Sequence, residues 1–149
     1  MDKIEKVYQI LKNRLPEILI VPIEIYPTTI DMLIKDSKER EEPLEDAINY
    51  YNEDYKQENY IDTPYCTHVV NKHKINAFNI NMLASYPIMV SRENVECRPE
   101  HEIAFLLLHE FGHIINRTIH RYFDEKLADK FAIQWLELLI KEGLIKYDK

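Results

Sequence analysis

The sequence predicts a small α+β domain, and three observations support this fold class. The chain has 149 residues, the length of one domain that buries its own core. Apolar residues recur at helical spacing near both ends, whereas short β-branched and aromatic runs occupy the middle. We therefore expect a single domain of helices and a small antiparallel or mixed sheet. Residues 1–66 form a mainly helical N-terminal part with no assigned role, and residues 67–149 hold the sheet and a C-terminal helix pair.

The N-terminal elements are predicted from apolar spacing and from proline. Apolar residues three and four apart indicate an amphipathic helix over residues 2–15, which Pro16 ends. Residues 18–26 are rich in Ile and Val but contain Pro22. Because proline has no N–H to donate to a neighbouring strand, we expect an edge strand there. A second helix is predicted over residues 29–38.

The middle of the chain is predicted to contain a helix, a loop and three strands. Ala, Ile and Tyr share one face of a predicted helix around residues 47–55, and residues 59–66 are predicted to form a loop. Turn-prone residues separate the strand candidates, which are residues 67–70, 74–81 and 87–91.

Two long helices are predicted in the final third. The first begins at Pro99, which suits a first helical position, and its many apolar residues indicate that it is largely buried. A short connection over residues 117–123 leads to a last helix over residues 124–142. Gly143 is a natural end for that helix.

Composition excludes several classes of function. The net charge is −7 without a Lys/Arg cluster, whereas nucleic-acid binding requires a basic surface. The longest apolar runs are far shorter than the roughly 18 residues of a membrane span, and the charged N-terminus does not resemble a signal peptide. Two cysteines without a CxxC pair indicate reduced, partly buried thiols. We therefore expect a cytoplasmic protein that binds neither nucleic acid nor membrane.

Residues 109–113 read His-Glu-Phe-Gly-His, an HExxH motif within the first long helix. Four residues advance an α-helix by about 400°, so His109 and His113 project from one face, one turn apart. Their imidazoles can share one zinc ion, which lowers the pKa of its bound water towards about 7. Glu110 is placed beside the metal rather than on it and is the candidate general base.

Catalytic zinc normally has three protein ligands, and the last helix supplies a candidate for the third. Glu125 and Asp129 are four residues apart and share a face. If the helices pack antiparallel, Glu125 reaches the metal and Asp129 accepts a hydrogen bond from the outer nitrogen of His109. Gly112 costs about 1 kcal/mol relative to Ala inside a helix, so it indicates a close approach that Ala128 also permits.

Other residues have weaker arguments for a role. A metzincin pattern needs Gly at position 116 and His at 119, but these are Asn116 and Ile119. His120 and Tyr122 are either contacts to an oxyanion or substrate, or plain surface residues. Three further histidines lack ligand spacing and are interpreted as surface or structural: His68, His73 and His101.

Two segments carry a resemblance to a known family. Residues 99–116 contain the HExxH motif, and residues 125–132 read Glu-Lys-Leu-Ala-Asp-Lys-Phe-Ala, an ExxA[DN]xFA run. With these segments, which cover roughly the last third, the chain resembles the ImmA/IrrE family of gluzincin-type metallopeptidases. Residues 27–66 match no part of that family. A weaker likeness to HtpX-like membrane gluzincins, over residues 75–78, is opposed by the absence of predicted membrane spans.

The resemblance implies a zincin-like fold and a cytoplasmic protease that acts on protein regulators, typically repressors. It also implies His109, His113 and Glu125 as zinc ligands and Glu110 as the base. Three hypotheses follow: a peptidase with one zinc per chain that cleaves a protein partner, an interaction module without proteolysis whose zinc site is structural or vestigial, or a metal-dependent amidase on a non-protein substrate. A monomer is the default. Ile88–Ser91 is either a strand edge that holds a peptide substrate or an ordinary core strand.

Overall fold

The computed structural model describes residues 2–39, 41–46, 60–65, 67–69, 77–78, 87–120 and 125–147. For residues 36, 39, 60–62, 67–69, 77–78, 116–120 and 125 it describes the backbone alone. The helices are α1 (Lys3–Arg14), α2 (Thr29–Glu39), α3 (Arg92–Val95), α4 (Glu100–His120) and α5 (Glu125–Lys141), with a 3-10 turn at Glu17–Leu19. The strands are β1 (Ile23–Tyr26), β2 (Tyr60–Asp62), β3 (Thr67–Val69), β4 (Ala77–Phe78) and β5 (Ile88–Ser91).

The strands form a mixed three-stranded sheet and a separate hairpin. In the sheet the order is β1-β5-β4, with β1 parallel and β4 antiparallel to β5. Strands β2 and β3 pair antiparallel. The predicted α+β class with a mixed sheet is therefore confirmed, and β1 lies at an edge as expected. The predicted loop over residues 59–66 is wrong for residues 60–62, which form β2 by pairing with residues farther along the chain.

Strand β5 is the centre of the described sheet. All four of its residues are buried, and each of its two edges is paired with another strand. Of the two interpretations of Ile88–Ser91, the structure shows the core strand, because within the described residues β1 pairs with one of its edges and β4 with the other. The predicted helix around residues 47–55 lies outside the described residues, as do most of residues 70–86.

A hydrophobic cluster joins α1, the sheet, α4 and α5. The apolar face of α1, with Ile4, Val7 and Leu11 fully buried, packs on α4, which contributes a nearly continuous buried run from residue 103 to residue 108. Truncating one such large side chain to Ala costs about 2–5 kcal/mol because it removes contacts and leaves a cavity. This core fixes α4 between α1 and α5 and thereby holds one face of α4 against α5.

Capping interactions set several helix ends. The side chain of Asp2 accepts a hydrogen bond from Glu5 N at the start of α1. At the other end of the chain, Gly143 has φ +76° and donates to Ile140 O, while Leu144 N donates to Leu139 O, which is the Schellman arrangement. Gly143 therefore ends α5 as predicted.

Helix α4 continues to His120, so the predicted start of the connection at Arg117 is wrong. Residues 117–120 include neither Pro nor Gly, and therefore nothing in this segment interrupts the backbone hydrogen bonds. The longer helix leaves only residues 121–124 between α4 and α5.

Candidate metal centre

Helix α4 brings two imidazoles together on its buried face. The Nε2 atoms of His109 and His113 are 2.9 Å apart, and the two rings are nearly perpendicular with centroids separated by 4.4 Å. Both side chains are almost completely buried. This juxtaposition follows directly from their spacing of four residues, which is close to one helical turn.

Helix α5 supplies a carboxylate behind the first of these rings. Asp129 Oδ1 lies 2.9 Å from Nδ1 of His109, and Asp129 is itself buried. Because an ionised carboxylate only accepts hydrogen bonds, we assign the His109 proton to Nδ1, which donates to Asp129. This tautomer leaves a lone pair on Nε2, on the side of the ring that faces His113.

The packing of α5 against α4 is closest at Gly112. A Cβ built at this position would lie 3.1 Å from Ala128 Cα, 3.2 Å from Ala128 O and 3.2 Å from Phe131 Cβ. Ala128 is fully buried. The close approach inferred from Gly112 is therefore present, and it occurs one residue before Asp129 in the sequence of α5.

Phe105 completes the wall around His109. It is fully buried, and its ring lies nearly parallel to that of His109, with the ring planes 23° apart and the centroids 6.2 Å apart. Phe105 was not among the residues predicted for this site. Its position four residues before His109 could have identified it, since residues four apart stack along one helix face.

The other predicted site residues lie around this pair of helices. Glu110 follows His109 in α4 and is partly exposed. Glu125 is the first residue of α5, one turn before Asp129, and its side chain is outside the described set. His120 ends α4 with its side chain likewise outside that set, and Tyr122 lies in residues 121–124, which are not described.

The arrangement of the two histidines fits zinc. Two nitrogens bound to one tetrahedral zinc ion at about 2.0–2.1 Å lie roughly 3.3 Å apart, and a small side-chain rotation separates this from the observed 2.9 Å. The carboxylate on Nδ1 of His109 is the partner that zinc-ligating histidines usually have. Among the described side chains, no third His, Cys, Asp or Glu completes a ligand group. The predicted third ligand, Glu125, is not among them.

Among the remaining histidines and cysteines, those whose side chains are described do not lie at this site. His101 is buried at the start of α4, and its ring packs edge-on against Tyr147, with centroids 4.8 Å apart. It is therefore structural rather than at the surface. Cys97 is exposed, so the expectation of a partly buried thiol is wrong for this residue. The side chains of His68, His73 and Cys66 lie outside the described set.

None of the helices within the described ranges is both long enough and apolar enough to cross a membrane. Neither the curated proteins nor the solved structures gave a match to the chain. A comparison with known protein families matches residues 39–143, which are 105 of the 149 residues, to Peptidase family M48. The chain therefore belongs to Peptidase family M48, a family of zinc metallopeptidases.

Proposed function

We propose that this chain is a zinc-dependent peptidase that hydrolyses peptide bonds in a protein partner. The observation that supports this most directly is the buried pair of imidazoles with Nε2 atoms 2.9 Å apart, one of them held from behind by Asp129. Membership of a metallopeptidase family supports the same reaction class.

In the proposed centre, His109, His113 and Glu125 hold one zinc ion per chain. When bound, zinc lowers the pKa of a water molecule and polarises the carbonyl group of the substrate. Glu110 is the only acidic residue of the HExxH motif and is partly exposed, so it is accessible to solvent and substrate. It accepts a proton from the attacking water and transfers that proton to the amine that leaves when the C–N bond breaks.

Asp129 and Phe105 have supporting roles in this proposal. The hydrogen bond from Nδ1 keeps His109 in the tautomer whose Nε2 carries a lone pair, and it makes that nitrogen more basic. Phe105 covers one side of the His109 ring and excludes water from it. Both residues limit rotation of the imidazole, and a fixed ligand loses less entropy when it binds a metal.

Within this function, we assign the chain to the gluzincin type and more closely to ImmA/IrrE-like peptidases that cleave regulators or repressors. The support for this finer assignment is the ExxA[DN]xFA run at residues 125–132, in which Glu125 and Asp129 have the expected spacing. The same assignment implies a cytoplasmic protein with a protein or peptide as its substrate, and a monomer is the default oligomeric state. His120 and Tyr122 are the candidates for oxyanion or substrate contact.

The substitution Glu110→Gln tests the mechanism. We expect the variant to keep about one zinc per chain and to lose peptide hydrolysis by at least 100-fold, since general base catalysis contributes roughly 10²–10⁴-fold. Zinc is measured by elemental analysis of protein purified without chelators or a metal-affinity tag, and cleavage by mass spectrometry of casein digests. Glu102→Gln is the control, because this glutamate lies in the same helix and pairs with Arg98 instead.

Two outcomes would contradict the proposal in different ways. Undiminished hydrolysis by Glu110→Gln would reject Glu110 as the base. Wild-type protein with zinc near zero, even after zinc is added, would reject the metal centre and favour the interaction module that binds a protein without cutting it.

A further inference from the structure

We propose that Gly112 is a positioning residue of the metal centre. It sets the separation of α4 and α5 at which Asp129 reaches His109. The inference rests on the proposed function, because it concerns how one proposed zinc ligand is oriented. Gly112 itself contacts neither a metal nor a substrate and acts through Asp129.

Backbone atoms of α5 face Gly112. A methyl group at this position would lie 3.1 Å from Ala128 Cα and 3.2 Å from Ala128 O. These are backbone atoms within α5, so no side-chain rotation relieves the contact. Helix α5 must therefore shift as a body by a few tenths of an ångström relative to α4.

Such a shift of α5 changes the position of Asp129 relative to His109. Asp129 directly follows Ala128 in α5. A shift of the helix at Ala128 therefore also moves the carboxylate of Asp129. Hydrogen bonds between N–H and O span about 2.7–3.2 Å, and the bond to His109 is 2.9 Å long. A few tenths of an ångström take it to the limit of this range. The hydrogen bond is then weakened, and the orientation of the imidazole is held less firmly.

Gly143 provides a matched control within the same chain. Its other glycine, Gly143, has φ +76° and nothing within 4 Å of an added Cβ. Gly143→Ala therefore strains the backbone after α5 without touching the interface between α4 and α5. The same chemical change at the two glycines separates a general loss of stability from a specific effect on the metal centre.

Cobalt(II) binding, followed by its visible absorption, tests the proposal in five proteins: wild type, G112A, G143A, D129N and the double variant G112A/D129N. We expect D129N to weaken binding about 10- to 100-fold and G112A roughly 10-fold. If Gly112 acts through Asp129, the double variant binds about as weakly as D129N alone. G143A binds like wild type, although it unfolds at a lower temperature.

A second readout does not depend on metal. In metal-free protein labelled with ¹⁵N, the Nδ1 proton of His109 is held by Asp129 and should give a protected, downfield signal. We expect this signal to weaken in G112A and D129N and to persist in G143A. If wild type binds no cobalt but the signal responds to G112A, the proposed function fails and the positioning role stands.

Three results would overturn the positioning role. The first is a wild-type protein that binds cobalt and a G112A variant that binds it equally tightly, and the second is a G112A effect of the same size with and without Asp129. The third is an unchanged His109 signal in G112A. Should G112A fail to fold, as judged by circular dichroism, Ala128→Ser enlarges the facing residue instead and is expected to change affinity and signal in the same direction.

Discussion

Helix α4 buries two histidines eight residues apart, and their surroundings differ. His101 and His109 are 6% and 5% exposed. The ring of His101 packs against Tyr147, and within the described residues no hydrogen bond reaches its Nδ1. His109 has a carboxylate behind it and a second imidazole in front of it. Burial alone therefore does not distinguish the two histidines, whereas the held tautomer and the converging second nitrogen are found only at His109, the proposed ligand.

Replacing each histidine in turn is the strongest test of this comparison. We expect His109→Ala to weaken zinc binding by more than 100-fold, beyond the range of about 10–100-fold for loss of an outer partner, because it removes a proposed ligand itself. His101→Phe keeps an aromatic ring against Tyr147 and should leave zinc binding unchanged. Competition with a chromogenic chelator measures both affinities. Equal losses in the two variants would contradict the comparison.

The His101 end of α4 is expected to contribute to stability alone. Tyr147 packs edge-on against both His101 and Tyr65, and its hydroxyl donates to Pro64 O. Tyr147→Ala should lower the free energy of unfolding by about 1–3 kcal/mol, since it removes two aromatic pairs and each is worth roughly 0.5–1.5 kcal/mol beyond its buried area.

Urea denaturation measures this loss, and cobalt titration serves as its control. Cobalt affinity of the folded Tyr147→Ala protein should equal that of wild type. A fall in affinity would mean that the two ends of α4 are coupled, and the distinction between them would have to be abandoned.

The smallest expected effect concerns an exposed ion pair, in contrast to the buried pair of Asp129 and His109. Arg14 Nε and Nη2 donate to the two carboxylate oxygens of Glu142, which joins the end of α1 to the end of α5. The hydrogen bond from Arg14 lowers the pKa of Glu142 below its usual 4.5. A lowered pKa in the folded state stabilises the fold above the unfolded-state pKa, and this stabilisation is lost as the pH falls through the folded-state value.

Glu142→Gln should therefore lower the melting temperature slightly at neutral pH. The difference from wild type should shrink as the pH is lowered below about 4.5. Thermal melts across this range measure it, with Glu17→Gln in the exposed 3-10 turn as the control. A difference that grows in acid would have the wrong sign and would reject the pair as its cause.

Much of the candidate metal centre could be predicted from the sequence because its geometry is local. A spacing of four residues fixes the relation of His109 to His113, and the same spacing relates Glu125 to Asp129. Gly112 indicated the close helix approach, since it is unfavourable in a helix unless something requires it. Strand β5 was also expected, although its central place in the sheet was not.

Some features of the fold were not predicted. Tyr60 and Ile61 favour a strand, but Pro64 close by indicated a loop, so the hairpin with Thr67–Val69 was missed. The parallel pairing of β1 with β5 joins Ile23 to Ile88, and no local pattern records such a partner. Phe105 was missed for another reason: it reads as an ordinary apolar residue of a buried helix.

The short connection between α4 and α5 has a consequence for how the chain folds. The two helices are neighbours in sequence, with four residues between them, so little loop-closure entropy is lost when they meet. The β1–β5 pairing closes a loop of 65 residues and is intrinsically slower. The helical hairpin that contains His109, His113 and Asp129 is therefore expected to form early, and the chain would gain its proposed metal-binding groups before its sheet is complete.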